Sequence, residues 1–188
     1  MRTAHTHLLL GLGNDLLRDD SVGLRVVRIL RPRLAGRADW SVVENGEGGL
    51  SLLDAWSGCD EICLVDAVRT GRRPVGWVHR WAGDDLPRLV RGSMHAMGVG
   101  EVLALGRLLG LPMPRWLTVL GIEVVDAETL DMDMTAAMRC VLPLVVERVW
   151  AVVLERLGSP GAAPCQLMDA HLPGMRAAEE RSLAWPTP

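Results

Sequence analysis

Leu8-Leu9-Leu10-Gly11-Leu12-Gly13-Asn14-Asp15-Leu16-Leu17-Arg18-Asp19-Asp20-Ser21-Val22-Gly23 decides how the chain is read. An apolar run of strand length ends in two closely spaced glycines, a polar loop follows, and paired aspartates stand directly before a helical pattern. That succession reads as strand, glycine turn and helix N-terminus, the corner where open α/β sheets gather ligand-binding groups. Gly11 and Gly13, having no Cβ, let the backbone turn sharply or come close to another segment. Asp19 and Asp20 bring two carboxylates to the mouth of the sheet. One of them is expected to be the N-cap of the helix, a role worth about 1 kcal/mol, and a single cap leaves the other unexplained.

A dinucleotide-binding turn would need a third glycine where Leu16 stands, and Asp15, Asp19 and Asp20 would repel a phosphate. Glu44, at the end of the second predicted strand, is the one residue placed like a ribose-binding carboxylate. A nucleotide-binding module is therefore kept as an alternative.

Outward from this corner, a helix is expected from about Asp20 to Arg31, with Val22, Val26, Ile29 and Leu30 on one side and Pro32 helping to end it. Arg25, Arg28 and Arg31 fall on its solvated face. Trp40 to Glu44 is a second strand, and a short helix follows from about Leu50 to Trp56. Glu61 to Val68 is a continuous apolar run of the kind buried in a parallel sheet, and it includes Asp66. Val75 to Trp81 alternates like an edge strand, a helix opens near Ser93 and runs to about Leu109, and Trp116 to Glu123 is the fifth strand. The last helix is expected from Thr135 to Leu157, kinked or broken at Pro143. The alternation predicts an α/β fold: a doubly wound, mostly parallel five-stranded sheet with helices on both faces. Residues 1–157 form one expected domain. Gly-Ser-Pro-Gly-Ala-Ala-Pro then introduces a tail, 158–188, that is expected to be flexible.

Composition narrows the function. The net charge of the 188 residues is -3, without the basic footprint of a nucleic-acid binder. All 20 basic side chains are arginine and the aromatic set is seven tryptophans, a compositional bias rather than chemistry. No apolar run is long enough to span a bilayer, so no membrane insertion and a cytoplasmic location are expected. Cys59, Cys63, Cys140 and Cys165 form neither a CxxC pair nor a disulfide framework, and Cys63 and Cys140 are expected in the core. Cys165, Asp169 and His171 have no recognisable metal-site spacing.

Asp20 after the first strand, Asp66 at the end of the third and His95 at the opening of the next helix can meet at the carboxyl end of the sheet. Singly, each has a local explanation as cap, turn or backbone partner. Together, two oxygens and an imidazole suit a divalent first-row transition metal with coordination positions left open. No nucleophile elbow surrounds Ser93, and HExxH is absent.

Gly11-Leu12-Gly13-Asn14, Asp19-Asp20, Val65-Asp66-Ala67 and Ser93-Met94-His95-Ala96-Met97-Gly98 resemble, in order and interval, the motifs of the hydrogenase maturation endopeptidases. The resemblance spans roughly residues 7–157, including Leu120-Gly121-Ile122-Glu123. It implies an endopeptidase that trims the C-terminal extension of a nickel-iron hydrogenase large-subunit precursor. The family's nickel-contacting positions fall on Asp20, Asp66 and His95, which are also the implied catalytic residues. The nickel would be carried by the substrate, with no organic cofactor. Ser21 and Glu47-Gly48-Gly49 depart from the family pattern without touching those side chains. A non-catalytic assembly factor that senses nickel in the precursor would use the same three residues.

Overall fold

The computed structural model describes residues 7–82 and 99–157. Five strands, β1 (His7–Leu12), β2 (Trp40–Asn45), β3 (Glu61–Val68), β4 (Val78–Ala82) and β5 (Trp116–Glu123), form one sheet in the order β2-β1-β3-β5-β4. The β1/β2, β1/β3 and β3/β5 pairs are parallel, and only β4 runs antiparallel, at an edge. The helices are α1 (Val22–Leu30), α2 (Ser51–Trp56), α3 (Val99–Leu108) and α4 (Ala136–Leu157).

Strand alternation divides the core in two. Leu9, Cys63, Val65, Leu120 and Ile122 pack against α1 and α4, while Leu8, Leu10, Ile62, Leu64 and Val119 pack against α2 and α3. The expected doubly wound architecture is therefore the observed one. Chain order moves from β1 outward to β2, then back across β1 to β3, so the topological switch lies between β1 and β3. Crevices at such a switch, beyond the strands' carboxyl ends, are where open sheets bind ligands.

Several local expectations change. The first helix is preceded by a tight 3₁₀ turn, Arg18–Ser21, and α1 itself begins at Val22. Its buried face is Val22, Leu24, Val26, Val27 and Leu30, with Ile29 exposed. Arg28 and Arg31 are not simply solvated: Arg28 bridges Asp15 and Glu44 at 2.6 Å each, and Arg31 reaches Glu44 at 2.7 Å. β4 starts at Val78 rather than Val75 because the Trp77 N–H closes a turn on the Pro74 carbonyl.

α4 runs unbroken through Pro143. Pro143 and Arg139, whose carbonyl loses its helical donor, are both exposed, so water can satisfy the freed group. The same helix corrects Cys140, which is exposed, because the buried positions Met138, Val145, Val149 and Val152 set a stripe that passes it by. Cys63 is buried as expected, and burial pushes its thiol up to about 12, which leaves it inert. Among the described residues no helix is long and apolar enough to cross a membrane. The expected tail, with Cys165, Asp169 and His171, lies outside the described residues.

Candidate functional site

Two glycines set the corner. A Cβ on Gly13, whose φ is +147°, would lie 2.2 Å from the Asp20 carbonyl oxygen, and one on Gly23 would lie 2.2 Å from that of Leu12 and 2.5 Å from that of Val65. Their absence lets the 3₁₀ turn and the first turn of α1 seat directly on the carboxyl ends of β1 and β3. The turn carries Asp20 against β3. On β3, Asp66 follows Val65, the register partner of Gly11, and pairs with Gly121 of β5. Asp20 and Asp66 are 1% and 0% exposed, although carboxylates are rarely buried so deeply. The Asp66 Oδ1 accepts the Ala67 N–H at 2.8 Å. His95, the third expected member, lies outside the described residues. Among the described residues, no three His, Cys, Asp or Glu side chains form a metal-holding group.

The expected cap is not what the aspartates provide. The α1 N-cap is Ser21, without a side-chain capping bond; its hydroxyl donates to the Arg18 carbonyl and accepts from Arg25 Nε. Asp19 faces another segment altogether. Its Oδ1 accepts the Thr135 N–H at 2.8 Å, and its Oδ2 accepts the Thr135 hydroxyl at 2.9 Å and the Asp126 and Val125 N–H groups at 3.3 and 3.4 Å. Thr135 Oγ1 in turn accepts the Met138 N–H and so caps α4. Asp19 is thus a bracket at a helix N-terminus, where negative charge is favoured. It holds the 124–135 loop over the β1 corner. Leu17 bridges Leu130, and Arg18 ion-pairs with Asp131 and Asp126, to the same effect. The Thr129 side chain, together with the Thr129 and Glu128 backbone N–H groups, holds the Asp126 carboxyl down at about 2.

A second bracket was not foreseen. Glu123 ends β5 opposite Val68 and shares the sheet face of Asp66 one strand away. It is 2% exposed. Its carboxylate accepts the Thr70 and Gly71 N–H groups at 2.7 and 2.8 Å and the Thr70 hydroxyl at 2.6 Å, and it meets His79 Nε2 at 2.9 Å. Its backbone takes the Gly76 N–H and gives its own N–H to Trp77. Burial alone would raise the Glu123 pKa; the bonds from Thr70, His79 and Gly71 outweigh burial and leave it below the ordinary value. The sequence shows only that Glu123 ends an apolar strand, as Asp66 nearly does, and nothing local announces its partners. Glu44, by contrast, spends its carboxylate on Arg28 and Arg31, which removes it from the role a ribose would need.

Asp19 and Glu123 fasten loops, and Asp20 and Asp66 are buried at the carboxyl end of the sheet beside the switch point between β1 and β3, where a carboxylate can accept a proton or ligate a cation.

A model of a protein family described as hydrogenase maturation protease matches residues 24–152. A Thiocapsa roseopersicina protein named hydrogenase expression/formation protein HupD is 30% identical, over 92% of this chain and 79% of its own. The hydrogenase 2 maturation protease of Escherichia coli is 27% identical, over 79% and 90% of the two chains. Among solved structures, the hydrogenase maturating endopeptidase HybD from E. coli superposes with a TM-score of 0.69 at 26% identity, covering 79% of this chain and 92% of that one.

Proposed function

The chain belongs to the hydrogenase maturation protease family, and we propose that it removes the C-terminal extension of a nickel-iron hydrogenase large-subunit precursor once nickel has been inserted. The observation that carries this reading is the pair of buried carboxylates, Asp20 and Asp66, at the switch point. With His95 they are proposed to contact the nickel that the precursor carries, and no organic cofactor takes part. Reading a metal held by the substrate couples cleavage to successful loading, because only a filled precursor supplies the cation that two buried carboxylates favour.

The chemistry is peptide hydrolysis. A nickel ion near the scissile bond acts as a Lewis acid on the carbonyl or lowers the pKa of a bound water, and Asp20 or Asp66 accepts the proton of the attacking water. The carbon–nitrogen bond breaks, and the proton passes to the leaving amine. The reaction is proposed to take place in the cytoplasm. Residues 1–157 are proposed as a single catalytic domain, with 158–188 a flexible tail that folding and cleavage do not need.

The test is incubation with nickel-loaded and nickel-free precursors, followed by mass measurement of the products. Shortening of the loaded precursor alone is expected. Equal shortening of both would remove nickel reading, and stable complex formation without shortening would favour a non-catalytic nickel sensor.

A further inference from the structure

The Arg69–Trp77 excursion leaves the carboxyl end of β3 just beyond Asp66, and a single residue closes it. The Glu123 side chain holds Thr70 and Gly71 at its start, and the Glu123 backbone holds Gly76 and Trp77 at its end. Gly76 also sits where a Cβ would meet the Val141 side chain of α4 at 2.6 Å, so the far end of the loop is seated as well. None of this fastening uses the loop's exposed arginines. Several arginines elsewhere are engaged: Arg18, Arg28, Arg31, Arg33 and Arg80 are each ion-paired with Asp or Glu. Arg72 and Arg73 have no carboxylate partner among the described residues. Arg73 stacks its guanidinium on the Trp77 ring at 4.5 Å, with Arg148 on the same ring system at 5.9 Å. Stacking fixes the plane of a guanidinium while leaving its N–H edges open, the geometry that grips a carboxylate with two parallel bonds.

We propose that Arg72 and Arg73, backed by Trp77 and Arg148, dock an acidic segment of the precursor polypeptide next to the Asp20/Asp66 site. The inference rests on the processing reading above and adds a specificity determinant to it. A loop pinned in advance costs little ordering on binding. Arg72 follows Asp66 by six residues, so its backbone lies at most ~20 Å away. Acidic side chains are the chemistry that fits, since two adjacent guanidinium groups repel a basic segment and gain little from an apolar one.

The experiment measures steady-state processing of nickel-loaded precursor at low and high salt by wild type, Arg72→Glu/Arg73→Glu, Arg72→Gln/Arg73→Gln and Arg107→Glu/Arg115→Glu. Arg107 and Arg115 are also exposed, lie away from this loop, and have no carboxylate partner among the described residues. Expected is a rise in KM of about tenfold for the double Glu variant and less for the double Gln variant, with kcat moving less than KM. The salt dependence of the wild-type KM should flatten in both, while the Arg107/Arg115 control stays within about twofold of wild type. Thermal midpoints verify that each variant folds. An unchanged KM and salt profile in the Arg72/Arg73 variants, or an equal effect in the control, overturns the proposal. Failure of wild type to shorten the precursor would sink the processing reading instead.

Discussion

Two loops close the carboxyl end of the sheet, and each is pinned by one buried carboxylate, but the pins differ in kind. Asp19 holds the 124–135 loop through three backbone N–H groups and a threonine hydroxyl, none of which titrates in the working range. Glu123 holds the Arg69–Trp77 loop through two N–H groups and a threonine hydroxyl as well, but His79 completes its set. Burial of a carboxylate therefore does not by itself mark chemistry. A carboxylate ringed by donors from another loop is a fastener. Asp20 and Asp66 earn their candidacy from position, at the switch between β1 and β3.

The largest expected effect separates fasteners from candidates. Asp20→Asn and Asp66→Asn keep nearly the same shape but remove the charge, so each should retain a near-normal thermal transition. Processing of nickel-loaded precursor should drop by ~100-fold or more, the scale on which losing a group at the reacting centre is felt. Asp19 is expected to behave in the opposite sense. Asp19→Ala leaves four donors unanswered under a buried loop, costing about 3 kcal/mol, or roughly 6–12 °C in the thermal midpoint of a chain this size. Asp19→Asn should fall between, because an amide presents N–H where the loop presents N–H. If Asp19→Asn melts like wild type and loses activity, the assignment of roles within the aspartate pair is reversed.

Most of the fold was readable because its signals are local. Leu8 to Leu12 and Glu61 to Val68 are apolar runs of strand length, and Gly13 and Gly23 mark close approaches that no other residue permits. Asp20 and Asp66 were readable as carboxylates at the carboxyl end of the sheet, because α/β topology sends strand ends to one place. Asp19 and Glu123 were not, since their partners are 116 and 53 residues away in Thr135 and Thr70, and no local pattern announces a long-range hydrogen bond. Cys140 and Ile29 failed for a smaller reason: a helical stripe one position out of phase exposes an apolar side chain without disturbing the helix.

The Glu123 pKa is held below its ordinary 4.5, so the folded state binds fewer protons there than the unfolded chain. Its contribution is complete above that ordinary value and is lost as pH falls through the lower, folded one. Stability measured by denaturant from pH 7 downward should therefore include a Glu123 component that disappears only below about pH 4.5. Glu123→Gln should lower stability at neutral pH by about 2 kcal/mol and show a shallower acid decline than wild type. Parallel acid curves for the two proteins would show that the Glu123 clamp contributes nothing.

The finest test compares the two threonines, Thr135→Val against Thr70→Val, since valine keeps the shape and deletes only the hydroxyl. Thr70 Oγ1 donates to Glu123, and its acceptor side meets only the Arg72 N–H at 3.2 Å in an exposed turn. Losing it should cost about 1 kcal/mol, because the carboxylate keeps its other donors. Thr135 Oγ1 works in both directions, donating to Asp19 and capping α4 through Met138. Its loss removes a charge-assisted bond and a cap together and should cost about 2 kcal/mol. Thr70→Val alone should also make the acid decline in stability smaller, because one of the bonds holding the Glu123 carboxylate ionised is gone and its folded pKa moves back toward the ordinary value. Equal costs and an acid decline of unchanged size would mean that the two brackets are one kind of structure.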